Sequence, residues 1–282
     1  MILKKIRTGA LIITALISLN VSAQQLKVPA PSPLQTIKQA FALSEITIEY
    51  SRPSAKGRTV YGDVVPFGKI WRTGANGSTK ITFGDSVKIE GLTVKPGTYA
   101  LYSIPNKDSW EIMLYKDLTL GGNVGDYKTE NEVIRFKVAT TNVTEKVETF
   151  TMGLTNVTAT ATNIEMVWEN TKVSFSVSTE IDSKIMKNIE STIVKDSRPY
   201  FQAATYYFEN NKDLNQALEW VNKATIANPK AYWVYMLKAK IQLKLNDKKG
   251  AIATANQVIV LATEDKDDAY ISQAQKLIAS AK

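Results

Sequence analysis

The 282-residue chain contains neither cysteine nor histidine. Without cysteine it has no disulfide, and it offers no thiolate as a nucleophile or metal ligand. Without histidine it cannot form a Ser-His-Asp triad, a histidine-zinc site or a histidine general base. Chemistry by carboxylate, lysine, tyrosine or arginine stays open. We therefore predict no catalytic residue, cofactor or metal site, and we favour a non-catalytic role while leaving enzymatic activity undecided.

The sequence also lacks any long run of charge of one sign. Its formal net charge is +8, but no lysine- and arginine-rich tract is long enough to indicate nucleic-acid binding. Hydrophobic residues make up 44% and charged residues 22%, the balance of a folded globular protein. The length favours two domains of ordinary size.

The N-terminal 23 residues have the pattern of a secretory signal peptide. Lys4, Lys5 and Arg7 precede a short apolar run at residues 10–19, and small residues lead to a cleavage point after Ala23. The alternative is a membrane anchor, but the run is shorter than the roughly 20 apolar residues that a spanning helix needs. We predict export to the periplasm or cell envelope, with no transmembrane span after cleavage.

Residues 24–179 are expected to contain a lead-in segment and then a β domain. Pro29, Pro31 and Pro33 favour an extended lead-in over residues 24–43 that is not part of the core. Residues 44–179 show about ten short runs of alternating polarity separated by turn signals, which predicts an antiparallel β-sandwich. Strands at residues 164–168 and 172–178 are expected to form a hairpin with Asn170 in its turn.

From residue 180 to 282 the apolar period changes to that of helices, and one glycine remains, Gly250. Asp213 and Asp247 lie 34 positions apart, as do Ala217 and Ala251. This period resembles that of tetratricopeptide repeats, with repeats at residues 198–230 and 232–263 and a capping helix at 266–282. The fold class is therefore α+β and multidomain.

The helical region suggests a protein or peptide partner. Tetratricopeptide-like arrays present a concave surface to such partners. The region is rich in aromatic side chains, which are common in interfaces: Tyr206, Tyr207, Trp220, Tyr232, Trp233 and Tyr235. The alternatives are an unrelated helical bundle, or two repeats that only stabilise the β domain.

The long connection at residues 51–77, here called the 51–77 loop, is the candidate small-molecule site. Its arginines offer planar donors that suit carboxylate or phosphate, and its aromatic rings suit a sugar or aliphatic ligand. The candidate ligand-binding residues are Arg52, Arg58, Asp63, Trp71, Arg72 and Asn76. The alternative is a structural loop in which Arg52 and Arg72 bind buried carbonyls and pair with Asp63 or Asp85, while Trp71 fills the end of the sandwich.

The acidic residues raise two further chemistries. A carboxylate-based glycoside hydrolase would need two opposed acids, for which Asp63, Asp126 and Glu111 are the candidates. A metal would need clustered oxygen ligands. The acids at 265, 267 and 268 are instead expected to begin the last helix, where negative charge is favoured.

The β region resembles the family known as domain of unknown function 2911. The resemblance depends on WRTGAN at residues 71–76, on short motifs at residues 52–68 and on residues 96–105. It covers residues 44–178. It implies a family of exported bacterial envelope proteins, and the family name supplies no activity.

Overall fold

The computed structural model describes residues 28–194 and 199–282. The predicted signal peptide, with its cleavage point after Ala23, lies outside these residues. The chain divides into two compact units, a β-rich unit mainly of residues 44–156 and 162–177, and a helical unit mainly of residues 178–282. The predicted order of an antiparallel sheet followed by helices is confirmed. Within the described ranges, no helix combines the length and apolar character needed to span a membrane.

The β-rich unit contains a nine-stranded sheet in the order β1-β2-β3-β6-β7-β8-β9-β4-β5. The pairings from β2 through β3, β6, β7, β8 and β9 are antiparallel, as is that of β4 with β5. The strands are β1 (Leu34–Phe41), β2 (Ser44–Ser51), β3 (Thr79–Phe83), β4 (Val87–Ile89), β5 (Leu92–Val94), β6 (Gly97–Ile104), β7 (Ser109–Tyr115), β8 (Glu132–Thr155) and β9 (Ala161–Ser178).

Alternating polarity explains which strand faces are buried. In β2, Ile46, Ile48 and Tyr50 are buried, while the residues between them are partly exposed. In β3, Ile81 and Phe83 are buried in the same way. Side chains in a strand point alternately to opposite faces, so these residues supply one core face.

The lead-in prediction was wrong in its second half. Residues 34–41 form β1, which pairs with β2 at the edge of the sheet. The three prolines precede this strand, so none of them removes a donor from it. The three prolines therefore lie directly before a strand and do not form a separate arm.

The predicted hairpin around Asn170 was also wrong. β9 runs without reversal through 18 residues, and its partner β8 runs through 24. Glu169 takes a positive φ of 51°, and the pairing register shifts between Asn142 and Val147. These irregularities bend the strand pair, as bulges do, and do not turn it back. Asn170 donates its side-chain NH₂ to the Val143 carbonyl (2.9 Å).

Contacts between β2 and β8 bring together strands that are not neighbours in the sheet order. The Tyr50 hydroxyl accepts from the Met152 amide (2.9 Å) and donates to Gln35 Oε1 (2.7 Å). Just beyond β2, the Phe150 amide donates to the Pro53 carbonyl (2.8 Å). The 51–77 loop therefore starts where these strands meet.

The helical unit contains six helices among the described residues: α1 (Asp182–Val194), α2 (Tyr200–Glu209), α3 (Leu214–Ala227), α4 (Tyr232–Lys244), α5 (Lys248–Glu264) and α6 (Asp268–Ala281). Aspartates begin three of them. Asp213, Asp247 and Asp267 each accept from a backbone N–H in the first turn of α3, α5 and α6, respectively. Such caps satisfy donors that the helix itself leaves unpaired.

Small side chains let the helices approach one another closely. Ala204, Ala217, Ala251, Ala255 and Ala274 are fully buried. From α2 to α6 each helix packs on the next one in sequence, and α4 also contacts both α2 and α6. The three even-numbered helices therefore lie side by side.

Candidate functional site

The 51–77 loop is attached to the sheet at several points. The Ala55 amide donates to the Glu148 carbonyl (2.8 Å), and Trp71 and Ser103 exchange two backbone hydrogen bonds (2.7 and 2.9 Å). The Val60 amide donates to Glu169 Oε2 (3.0 Å). These bonds satisfy buried backbone groups and hold the loop in place.

Trp71 lies in the middle of an aromatic cluster. Its ring centroid is 5.2 Å from that of Phe150, 5.9 Å from that of Trp110 and 6.1 Å from that of Trp168. Its indole N–H donates to the Gly74 carbonyl (3.0 Å). Gly74 has a φ of +153°, and a Cβ there would lie 3.2 Å from the Ser51 carbonyl oxygen. Trp71 therefore packs the loop on the core.

Two of the three arginines bind protein groups. Arg52 donates Nε to the Phe150 carbonyl (3.2 Å) and Nη2 to Thr151 Oγ1 (2.8 Å). Arg58 donates to the carbonyls of Ala55 and Ser54 (both 2.9 Å). Their guanidinium groups fix the backbone, the role that the structural alternative gave to Arg52.

Arg72 differs from the other two arginines. Its backbone carbonyl accepts from the Thr79 amide (3.2 Å). Its side-chain Nε is buried and makes no hydrogen bond with any described residue. Among the described residues, the Arg72 side chain therefore does not bind backbone carbonyls as those of Arg52 and Arg58 do.

The remaining two candidates lie apart. Asp63 is exposed at the loop surface. Asn76 is exposed and donates to the Ser32 carbonyl (3.1 Å) and to Ser51 Oγ (3.2 Å). The six residues therefore do not form one pocket: three contact the scaffold, Arg58 ties its own loop, Asp63 faces solvent, and Arg72 is left with an unused buried donor.

The acids considered for hydrolysis have other partners. Glu111 pairs with Arg135, which also binds Glu132. Asp126 accepts from Asn123 in its own loop. Asp267, considered for a metal, caps α6 and accepts from the Tyr232 hydroxyl (3.1 Å). Within residues 28–194 and 199–282, no three acidic side chains cluster in a way that suits a metal ion.

A cavity of about 300 Å³, here called the Tyr61 cavity, opens beside the aromatic cluster. It is lined by Tyr61, Phe67, Asn106, Lys107, Trp110, Glu169, Asn170 and Thr171. Burial, assisted by the nearby Glu169 charge, raises the pKa of the Tyr61 hydroxyl, which therefore stays protonated. That hydroxyl forms no hydrogen bond with the part of the chain that the structure describes. Sequence reasoning missed Glu169 because it placed this residue in the predicted turn between the strands at residues 164–168 and 172–178.

The helical unit has a groove of about 360 Å³ between α2, α4 and α6, here called the α2–α4–α6 groove. On α4 its lining residues are Trp233, Met236, Leu237 and Lys240, which follow the i, i+3, i+4, i+7 pattern of one helix face. Trp233 is 41% exposed. Sequence reasoning identified the aromatic richness but not which rings face the groove.

Comparison with known proteins gives one result. A family model described as a protein of unknown function (DUF2911) matches residues 32–177. No curated protein and no solved structure matches the chain. The match covers β1 to β8, all but the last residue of β9 and the whole 51–77 loop, so the resemblance predicted from WRTGAN is confirmed. The chain belongs to the DUF2911 family.

Proposed function

We propose that this protein is an exported binding protein of the cell envelope, and that its helical unit is a tetratricopeptide-like array that holds an extended segment of a partner protein. The N-terminal signal pattern supports export. The repeat assignment is supported by Asp213 and Asp247, which lie 34 positions apart and cap equivalent helices, α3 and α5. Structural side-by-side packing of α2, α4 and α6 is also typical of such arrays.

The observation that carries the proposal is the composition of the α2–α4–α6 groove. Its floor is apolar, with Met236 and Leu237 buried beneath the exposed Trp233. Phe201 on α2 and Tyr270 on α6 line the same groove. A large exposed aromatic side chain beside a buried apolar floor is a common anchor point for a partner.

The occupant that fits is an extended peptide with one apolar side chain and one acidic side chain. The apolar side chain would pack on Trp233, and the acidic one would lie at Lys240, which is exposed and has no ion pair among residues 28–194 and 199–282. Thr205 and Gln273, which also line the groove, can bind the peptide backbone.

The test is peptide selection on the full mature chain, followed by fluorescence anisotropy with the selected peptides. Trp233→Ala should weaken binding about tenfold or more, as loss of an aromatic anchor does. Lys240→Glu should weaken the binding of peptides that contain the acidic residue and leave the binding of peptides without it unchanged. Ile226→Ala is the matched control, because Ile226 is 78% exposed on α3 and does not line the groove.

Two outcomes would contradict the proposal. Equal loss of binding in Trp233→Ala and Ile226→Ala would show that the peptide does not bind in the groove. Self-association that Trp233→Ala abolishes would make the occupant a second copy of this chain. Either result could be read directly from anisotropy and sedimentation of the same variants.

We also infer that the sheet closes into a sandwich, because Tyr50 on β2 and Met152 on β8 contact each other although their strands are not neighbours. In this arrangement the Tyr61 cavity supports a second candidate function, binding of a polyhydroxylated small molecule such as a sugar. The favouring observation is the Tyr61 hydroxyl, which lies near Glu169 and stays protonated because burial raises its pKa, in a cavity that Trp110 also lines.

Glycan-array binding tests this second function. Tyr61→Phe should remove a hydrogen bond to the ligand and reduce the signal, while the fold is retained because the ring stays in place. Tyr99→Phe is the control, because the Tyr99 hydroxyl donates to the Lys95 carbonyl and does not line the cavity. Unchanged glycan binding in Tyr61→Phe, or no binding at all, would reject the Tyr61 cavity as a sugar site.

A further inference from the structure

The α2–α4–α6 groove has two charged lining residues, and they carry opposite signs. Glu209 is the last residue of α2, and Lys240 lies one turn before the end of α4. Both residues are exposed. Neither side chain forms an ion pair or a hydrogen bond with any residue whose position the structure gives, so the two charges do not neutralise each other.

Two lysines near the end of α2 are engaged with other groups. Lys212 pairs with an aspartate at the start of α1 (2.7 Å). Lys244 donates to Asn211 Oδ1 (2.6 Å), and its ammonium lies 5.1 Å from the centroid of the Phe208 ring. The Lys244 contacts join the C-terminal ends of α2 and α4. They therefore hold this end of the groove in shape without neutralising Glu209.

The helices that carry the two charges do not stabilise them. Glu209 ends α2, where the helix dipole is negative and a carboxylate is unfavourable. Lys240 has Lys244 at position i+4, and like charges at that spacing destabilise a helix. Among the described residues neither charge has a stabilising partner, whereas a ligand with charges of both signs would supply one to each.

The aromatic end of the groove lies at the other ends of the same two helices. Phe201 is the second residue of α2, and Trp233 is the second residue of α4. Trp233 lies about two helical turns before Lys240, which is a distance of about 10 Å along the helix axis. An extended peptide advances about 3.3 Å per residue, so about three residues cover this distance.

We propose that the groove selects a partner segment with an apolar side chain and, about three residues along, one basic and one acidic side chain. The apolar side chain packs between Phe201 and Trp233. The basic side chain pairs with Glu209, and the acidic one pairs with Lys240. This inference rests on the peptide-binding function proposed above, and it adds Glu209 as a residue that determines which charges the partner carries. Complementary charges at the rim of an interface contribute mainly to specificity.

Peptide selection on two forms of the full chain tests the charge pattern. A random peptide library is selected on the unchanged chain and, separately, on the double variant Glu209→Lys, Lys240→Glu. The unchanged chain should enrich peptides that carry a basic and an acidic residue near an apolar one. The double variant exchanges the signs of the two positions, so its enriched peptides should carry the two charges in the opposite order.

Fluorescence anisotropy with synthetic peptides then measures the Glu209 contact. The peptides share the selected apolar residue and carry both charges, the basic residue alone or the acidic residue alone. Glu209→Gln should weaken the binding of peptides with the basic residue about fivefold, the upper range for an exposed ion pair, and leave the acidic-only peptide unchanged. Glu264→Gln is the matched control, because Glu264 is exposed, ends α5 and does not line the groove.

The outcomes separate this inference from the peptide-binding function itself. Peptide binding that Trp233→Ala weakens, but that Glu209→Gln and Glu264→Gln leave equally unchanged, would overturn the inference and keep the function. Enrichment of the same charge pattern by the unchanged chain and the double variant would also overturn the inference. Absence of saturable binding by every peptide would reject the function and the inference together.

Discussion

Replacement of Gly250 by alanine should destabilise the helical unit, although alanine is the better helix former. Gly250 lies in the first turn of α5, and its amide donates to Asp247 Oδ1 (2.9 Å). A Cβ at this position would lie 2.0 Å from Asp247 Oδ2 and 2.4 Å from Gln242 Nε2. Those two atoms are hydrogen-bonded to each other (3.1 Å), and Gln242 also accepts from Thr254 (2.7 Å).

Three contributions decide the sign. Alanine in place of glycine favours the helix by up to about 1 kcal/mol. Displacement of Asp247 loses the cap of α5, which costs about 1 kcal/mol. Displacement of Gln242 from Asp247 loses a hydrogen bond in a partly buried network, at a cost of about 1 kcal/mol or more. The losses outweigh the gain, so we expect a net destabilisation of about 1 kcal/mol.

Urea unfolding followed by the helical circular dichroism signal measures this effect. In an Asp247→Ala background the cap and the carboxylate are already absent, and Gln242 is free to turn away. There the same Gly250→Ala change should stabilise by up to about 1 kcal/mol. A stabilising effect of Gly250→Ala in the otherwise unchanged chain would refute the reasoning.

Further predictions concern the core, an ion pair and a helix cap. Tyr50→Phe should destabilise the β-rich unit by about 1–3 kcal/mol in urea unfolding, because the buried Met152 amide loses its acceptor. Hydrogen bonding to Arg135 lowers the pKa of Glu132 in the folded protein. The pair therefore stabilises the fold at pH values above the usual glutamate pKa, and this contribution is lost as the pH falls through the lowered pKa. Arg135→Met should therefore reduce the loss of stability on acidification below about pH 4, measured by unfolding midpoints across pH. Asp213→Ala should lower stability by about 1 kcal/mol, because α3 loses its cap.

Local sequence patterns predicted the elements that depend on local physics. Alternation in residues 46–50 predicted a strand with one buried face. The change of period predicted a helical region from residue 180, and the first helix begins at Asp182. Asp213 and Asp247 were found by their spacing, and both cap helices. These features need only neighbouring residues, so one sequence contains the information.

Features that depend on distant residues were not predictable in the same way. The prediction of a turn at Asn170 was wrong because pairing with β8 keeps β9 extended through its irregular middle. Arg52 binds acceptors about a hundred residues away, on β8, and the loop sequence alone did not show that Arg52 reaches them whereas Arg72 does not.

The most direct test of the partner-binding role is site-specific photo-cross-linking within the α2–α4–α6 groove. The chain carries benzoylphenylalanine either in place of Trp233 or in place of Ile226, which is exposed on α3 and does not line the groove. Each variant is irradiated with a selected fluorescent peptide. The proposed function predicts a peptide cross-link at position 233 and none at position 226. Equal cross-linking at both positions, or cross-linking at 226 alone, would contradict it.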